Sequence, residues 1–186
     1  MYEIRIHGRG GQGAVLASKI LAKALVDEGK FVKAIPSFGF ERRGAPVAAF
    51  LRYDDRIIRQ STNIYQPNCI VCIDPTLSRS VNIFSGMRPN GVWVQATKRH
   101  LDRITVPETV VKVGLCDAFG IALDVFGKAL TNVIMLGALV RTTNLVSMDS
   151  LNRAVESVGF RDAAVDKNIL AAKRGYEETK IYEINK

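Results

Sequence analysis

The first 28 residues, MYEIRIHGRGGQGAVLASKILAKALVDE, place an apolar alternation, a glycine turn and a helical pattern in immediate succession. Tyr2, Ile4 and Ile6 alternate as in a strand with a buried face. Gly8, Gly10 and Gly13 then satisfy G-x-G-x-x-G. Val15, Ile20, Leu21 and Leu25 follow at helical spacing, predicting a helix from Ala14 to about Glu28 that Gly29 ends. A strand that turns through glycines into a helix is the opening unit of an α/β sheet.

The rest of the chain continues that order. Strands are predicted at Phe31–Ile35, Cys69–Ile73, in NGVWVQA and in TVVKVGL. Val47–Tyr53 and Arg56–Arg59 flank Asp54–Asp55 and read as a β-hairpin, while Asp74–Pro75–Thr76 reads as the start of a helix reaching about Phe84. From Phe119 the pattern is helical to the end, with pieces near Gly120–Phe126, Asn132–Thr142, Ser150–Val158 and Ala163–Lys180. The expected fold is α/β: a Rossmann-like three-layer sandwich whose mostly parallel sheet is covered on both faces, with an antiparallel hairpin and C-terminal helices. At 186 residues and 47% hydrophobic, with no linker-like segment, residues 1–186 should form one domain.

Several function classes are disfavoured. No basic region precedes an apolar run at the N-terminus, and the longest apolar stretches, such as Val133–Val140, are too short to cross a bilayer, so a cytoplasmic protein without membrane contact is expected. Cys69 and Cys72 form C-x-x-C, but inside an apolar strand pattern that points them to opposite faces, which suits core packing and not a metal or an iron–sulfur cluster. The net charge of +8 favours an acidic protein surface, a phosphate-bearing ligand or nucleic acid. Its arginines and lysines are scattered without an aromatic-interleaved stripe, which argues against nucleic acid. His7 and His100 are the only histidines, one at a strand end and one in a loop-like segment. No catalytic set emerges around either.

Two stretches remain as candidate sites. The turn Gly8, Arg9, Gly10, Gly11, Gln12 and Gly13 offers backbone N–H groups at a helix N-terminus, which favour an anion, and Arg9 could add a charge-assisted contact. A dinucleotide site would also need a carboxylate at the end of the second strand, about 20 residues on. KAIPSFG stands there instead. The second stretch, PSFGFERRGAPV, sets Glu41, Arg42, Arg43 and Gly44 beside Phe38 and Phe40 at the carboxyl edge of the sheet, where a partner surface could cover the two aromatics. The turn is therefore open to three uses: a dinucleotide, a purely structural role, or contact with a partner or a cofactor held elsewhere.

EIRIHGRGGQG, FGFERRGAPV, CIDPTL and TNVIMLGALVR resemble, in order, the gamma subunit of the pyruvate:ferredoxin and related 2-oxoacid:acceptor oxidoreductases, from Tyr2 to about Tyr176. IPSFGFERRGAPV, TNIYQPNCIVCIDPTL and VGLCDA resemble in particular the small subunit of phenylglyoxylate dehydrogenases. The resemblance implies a complex that oxidatively decarboxylates a 2-oxoacid on thiamine diphosphate and transfers the acyl group to coenzyme A. Thiamine diphosphate, Mg2+ and iron–sulfur clusters are expected in alpha, beta and delta-type partner subunits, with an additional NAD-linked flavin subunit possible and no cofactor bound by this chain alone. The glycine turn and the Phe38–Gly44 loop would then organise an interface. A stand-alone dinucleotide-binding protein and a purely structural scaffold are the competing readings.

Overall fold

A computed structural model describes residues 1–36, 43–160 and 162–184. Among them, seven strands form one sheet in the order β2-β3-β1-β4-β5-β6-β7. These are β1 (Tyr2–Arg9), β2 (Phe31–Pro36), β3 (Pro46–Asp54), β4 (Cys69–Cys72), β5 (Gly91–Ala96), β6 (Val110–Cys116) and β7 (Lys180–Glu183). β1, β4, β5 and β6 pair in parallel. β3 is antiparallel to both β1 and β2, and β7 is antiparallel to β6, so five of the seven strands share one direction.

The helices are α1 (Ala14–Asp27), α2 (Ala118–Phe126), α3 (Asn132–Thr143), α4 (Met148–Glu156) and α5 (Asp162–Glu178). All five contribute to one apolar core against a single face of the sheet, through residues such as Leu21, Ile121, Leu139, Leu151 and Ala172 packed with Ile4, Ile6, Leu51 and Val71. Asp117 caps α2 by accepting from the Gly120 N–H, and Ser147 caps α4 by accepting from the Ser150 N–H, so each side chain satisfies a donor that the helix start leaves unpaired. Among the described residues, the third layer carries no α-helix. Short 3₁₀ turns at Leu77–Arg79 and Leu101–Arg103, with the coil around them, bury Ile70, Cys72, Trp93, Val113 and Leu115 on the opposite face.

Three element assignments need correction. The hairpin joins β2 to β3, and Arg56–Arg59 forms no strand. The helix expected after Asp74 shrinks to one 3₁₀ turn, and the segment beyond it turns its Ile83 and Ser85 carbonyls to the Arg5 guanidinium. The C-terminus is not helical throughout, because β7 leaves α5 and pairs with β6.

β1 is buried on both sides. Ile4 and Ile6 face the helices, while Glu3, Arg5 and His7 alternate to the other side and are also buried. Glu3 accepts from Arg52 Nε at 2.7 Å and from Arg88 Nη2 at 3.1 Å. Arg5 has no carboxylate partner among the described residues. Its Nη2 donates to the carbonyls of Ile83 and Ser85, and its Nε donates to His7 Nε2 at 3.0 Å. That bond requires the accepting nitrogen to be unprotonated, and burial together with the neighbouring Arg5 cation pushes the His7 imidazole down to about 4. His7 is thus a neutral structural acceptor.

Candidate interface at the carboxyl edge

β1 runs into the glycine turn at the edge where β4 also ends. Ladder pairing between β1 and β3 continues past Arg9 and Pro46: the Gly10 N–H donates to the Ala45 carbonyl (2.9 Å), and the Gly44 N–H to the Gly10 carbonyl (3.1 Å). Gly13, the residue before α1, adopts φ +80°, and a Cβ there would lie 2.6 Å from Asn132 Nδ2 at the start of α3. The left-handed conformation favours glycine, and its missing side chain leaves room for the Asn132 amide. The third glycine of the fingerprint therefore serves contact between α1 and the first residue of α3.

Gln12 folds back over the turn. Its Oε1 accepts from the Arg9 N–H at 2.7 Å, and its Nε2 donates to Asp74 Oδ2 at 2.6 Å. Arg9 reaches three groups on two other segments: Asp74 Oδ2 (3.3 Å from Nε), the Gly44 carbonyl (3.1 Å from Nη1) and Thr76 Oγ1 (2.9 Å from Nη2). Asp74 Oδ1 in turn accepts from the Thr76 N–H and hydroxyl at 2.7 and 2.6 Å. Burial alone would raise the Asp74 carboxyl, but the bonds from Thr76 and Gln12 and the Arg9 cation outweigh it and hold the group below the usual carboxylate range. It is an anion bound into a network.

Of the residues singled out from sequence, Gly8, Arg9, Gly10, Gly11, Gln12, Gly13, Arg43 and Gly44 lie at this edge, the first six in the turn and the last two in the segment bonded to it. Phe38, Phe40, Glu41 and Arg42 lie outside the described residues. Asp74 and Thr76 join the cluster without having been anticipated. Their signal is the short D-x-T pattern, whose aspartate side chain bonds the backbone two residues on.

What the edge could hold follows from this arrangement. In a dinucleotide site the second strand lies directly beside the first, bringing its terminal carboxylate to the ribose. Here β3 stands between β1 and β2, so β2 is displaced by two strand spacings, about 10 Å. The residues do not fit a metal cluster either. Cys69 packs on the helix side and Cys72 on the opposite side, and burial pushes the Cys72 thiol up to about 12, away from the thiolate a metal needs. Among the described residues, no group of three His, Cys, Asp or Glu side chains could hold a metal ion, and no helix is long and apolar enough to cross a membrane.

Comparison with known proteins identifies the family. The family described as pyruvate ferredoxin/flavodoxin oxidoreductase matches residues 3–178. The chain is 56% identical over 186 residues to the NADH-dependent phenylglyoxylate dehydrogenase subunit gamma of Aromatoleum evansii, covering 100% of this chain and 98% of that one. It is 43% identical to the pyruvate/ketoisovalerate oxidoreductases common subunit gamma of Thermococcus kodakarensis, covering 99% and 100%. The crystal structure of pyruvate oxidoreductase subunit PORC from Thermotoga maritima superposes with a TM-score of 0.84 at 37% identity, over 98% of each chain. The chain belongs to the pyruvate ferredoxin/flavodoxin oxidoreductase family, as the gamma subunit of a 2-oxoacid oxidoreductase complex.

Proposed function

We propose that this gamma subunit serves a complex that oxidatively decarboxylates an aryl 2-oxoacid of the phenylglyoxylate type on thiamine diphosphate, with coenzyme A as acyl acceptor. The carboxyl edge described above is the face it turns toward the subunits that carry thiamine diphosphate, Mg2+ and the iron–sulfur clusters. One observation carries the substrate class: identity over the full length is 56% to the phenylglyoxylate subunit and 43% to the pyruvate/ketoisovalerate subunit. The division of labour rests on the chain's own chemistry. Its thiols are buried, His7 is occupied by Arg5, and Asp74 is held by Thr76, Gln12 and Arg9, so among the described residues of this edge no free acid, base or nucleophile stands out. A stand-alone dinucleotide protein is disfavoured by the interposed β3.

The test is to produce the chain with its partner subunits and assay thiamine- and coenzyme A-dependent oxidation. Phenylglyoxylate should be used with kcat/KM at least about tenfold above pyruvate, a difference of about 1.4 kcal/mol in transition-state binding. A preference for pyruvate would overturn the substrate assignment. Oxidation that needs no partner subunit, or tight NADH binding by the chain alone, would overturn the division of labour.

A further inference from the structure

The Asp74 carboxylate is spent on its own network: three hydrogen bonds and the Arg9 ion pair. Both oxygens are committed, Oδ1 to the Thr76 N–H and hydroxyl, Oδ2 to Gln12 Nε2 and Arg9 Nε, and the residue is 6% exposed. What it holds is the fork of Arg9, whose remaining nitrogens fasten Thr76 and the Gly44 carbonyl. Together with the reciprocal backbone bonds between Gly10 and Gly44–Ala45, the fork ties three segments that are 35 and 67 residues apart in sequence. Lysine could not do this, because a single ammonium cannot reach groups that the planar guanidinium meets from separate nitrogens.

The geometry points to Arg9 and Asp74 as positioning residues for the complex: their ion pair is a latch that sets Arg43–Ala45 in place before the partner subunit arrives. This inference rests on the reading that the carboxyl edge faces the partner. A preset loop lowers the ordering cost of assembly and keeps the neighbouring active site in productive geometry, where a displacement of about 1 Å can cost about a hundredfold in rate. Neither residue touches substrate in this account. Both act through the segment they hold.

The experiment uses the assembled complex carrying Arg9→Ala, Arg9→Lys or Asp74→Asn, with kcat, KM for the 2-oxoacid and the rate of tryptic cleavage after Arg43 as readouts. Each variant should lower kcat about tenfold with little change in KM, and should speed cleavage after Arg43. Guanidinium chloride at sub-denaturing millimolar concentration should restore Arg9→Ala at least about threefold, whereas equal sodium chloride should not, because the free ion can refill the fork's place. General destabilisation would not be repaired by a denaturant. Parent-like turnover and cleavage in all three variants would overturn the latch. So would reduced turnover with unchanged cleavage and no guanidinium rescue, which marks a merely structural residue. If Arg9→Ala does not assemble, cleavage after Arg43 in the Asp74→Asn complex decides. Should replacement of Arg42 and Arg43 leave assembly and turnover intact while Arg9→Ala still exposes Arg43 to trypsin, the latch stands and the interface reading fails.

Discussion

Glu3→Gln should cost the fold about 3–5 kcal/mol, read as a drop in the urea midpoint at unchanged slope, because it leaves Arg52 as a buried cation without its counter-charge. Arg52 is 2% exposed and Glu3 5%, and their 2.7 Å contact lies between the sheet and the segment that supplies the Thr62 and Asn63 carbonyls. An exposed pair would contribute only about 0–1 kcal/mol, so the measurement separates the two cases cleanly. The loss should be largely non-additive with Arg52→Met, since both variants break the same pair. A loss below about 1 kcal/mol for Glu3→Gln would show that water reaches this stratum.

Gly137→Ala tests the other face. Helix propensity alone favours alanine there by about 1 kcal/mol. Packing opposes it: a Cβ at Gly137 would lie 2.0 Å from the Ala172 carbonyl oxygen, and one at Gly175 would lie 2.1 Å from the Ile134 carbonyl oxygen. α3 and α5 therefore meet backbone to backbone, at one glycine from each helix. Alanine must push the helices apart, and overpacking of this kind costs about 1–3 kcal/mol or more, enough to reverse the propensity gain. Thermal unfolding should show a lower midpoint for Gly137→Ala, and lower again for the double variant with Gly175→Ala. A raised midpoint would mean that the two helices are not in backbone contact.

Local signals made the opening unit legible. β1, the glycine turn and α1 stand where the alternation, the glycine spacing and the helical periodicity place them, because each is set within a few residues. The burial of Cys69 and Cys72 on opposite faces followed from the strand period of two. What failed was long-range. The Asp54–Asp55 turn signal suggested a hairpin with Arg56–Arg59, whereas β3 pairs backwards with β2 across residues 37–45, a connection with no short turn motif. The helix after Pro75 had a sound local start signal, but the segment that follows turns its Ile83 and Ser85 carbonyls to Arg5, contacts no window of sequence contains.

The candidate site divides in the same way. Its glycines and Arg9 were readable, since the fingerprint is contiguous. Asp74 was not, because its partners Gln12 and Arg9 lie 62 and 65 positions away and only the pairing of β1 with β4 brings them together. The alternation of β1 marked Ile4 and Ile6 as core, but the partners that allow Glu3 and Arg5 to be buried, the cations of Arg52 and Arg88 for Glu3 and the carbonyls of Ile83 and Ser85 for Arg5, lie far along the chain.

The carboxyl edge as the partner-facing surface is the central claim, and the double variant Arg42→Ala/Arg43→Ala tests it most directly. Arg43 is exposed and adjoins the latched Gly44, while Arg42 stands just before it in the sequence. An arginine desolvated against a partner can be worth about 2–5 kcal/mol on truncation. The variant chain should keep the parent's unfolding midpoint, yet co-purify weakly with the other subunits or turn over at least about tenfold more slowly. A double variant that assembles and turns over like the parent would contradict the account and leave the edge an ordinary solvated surface.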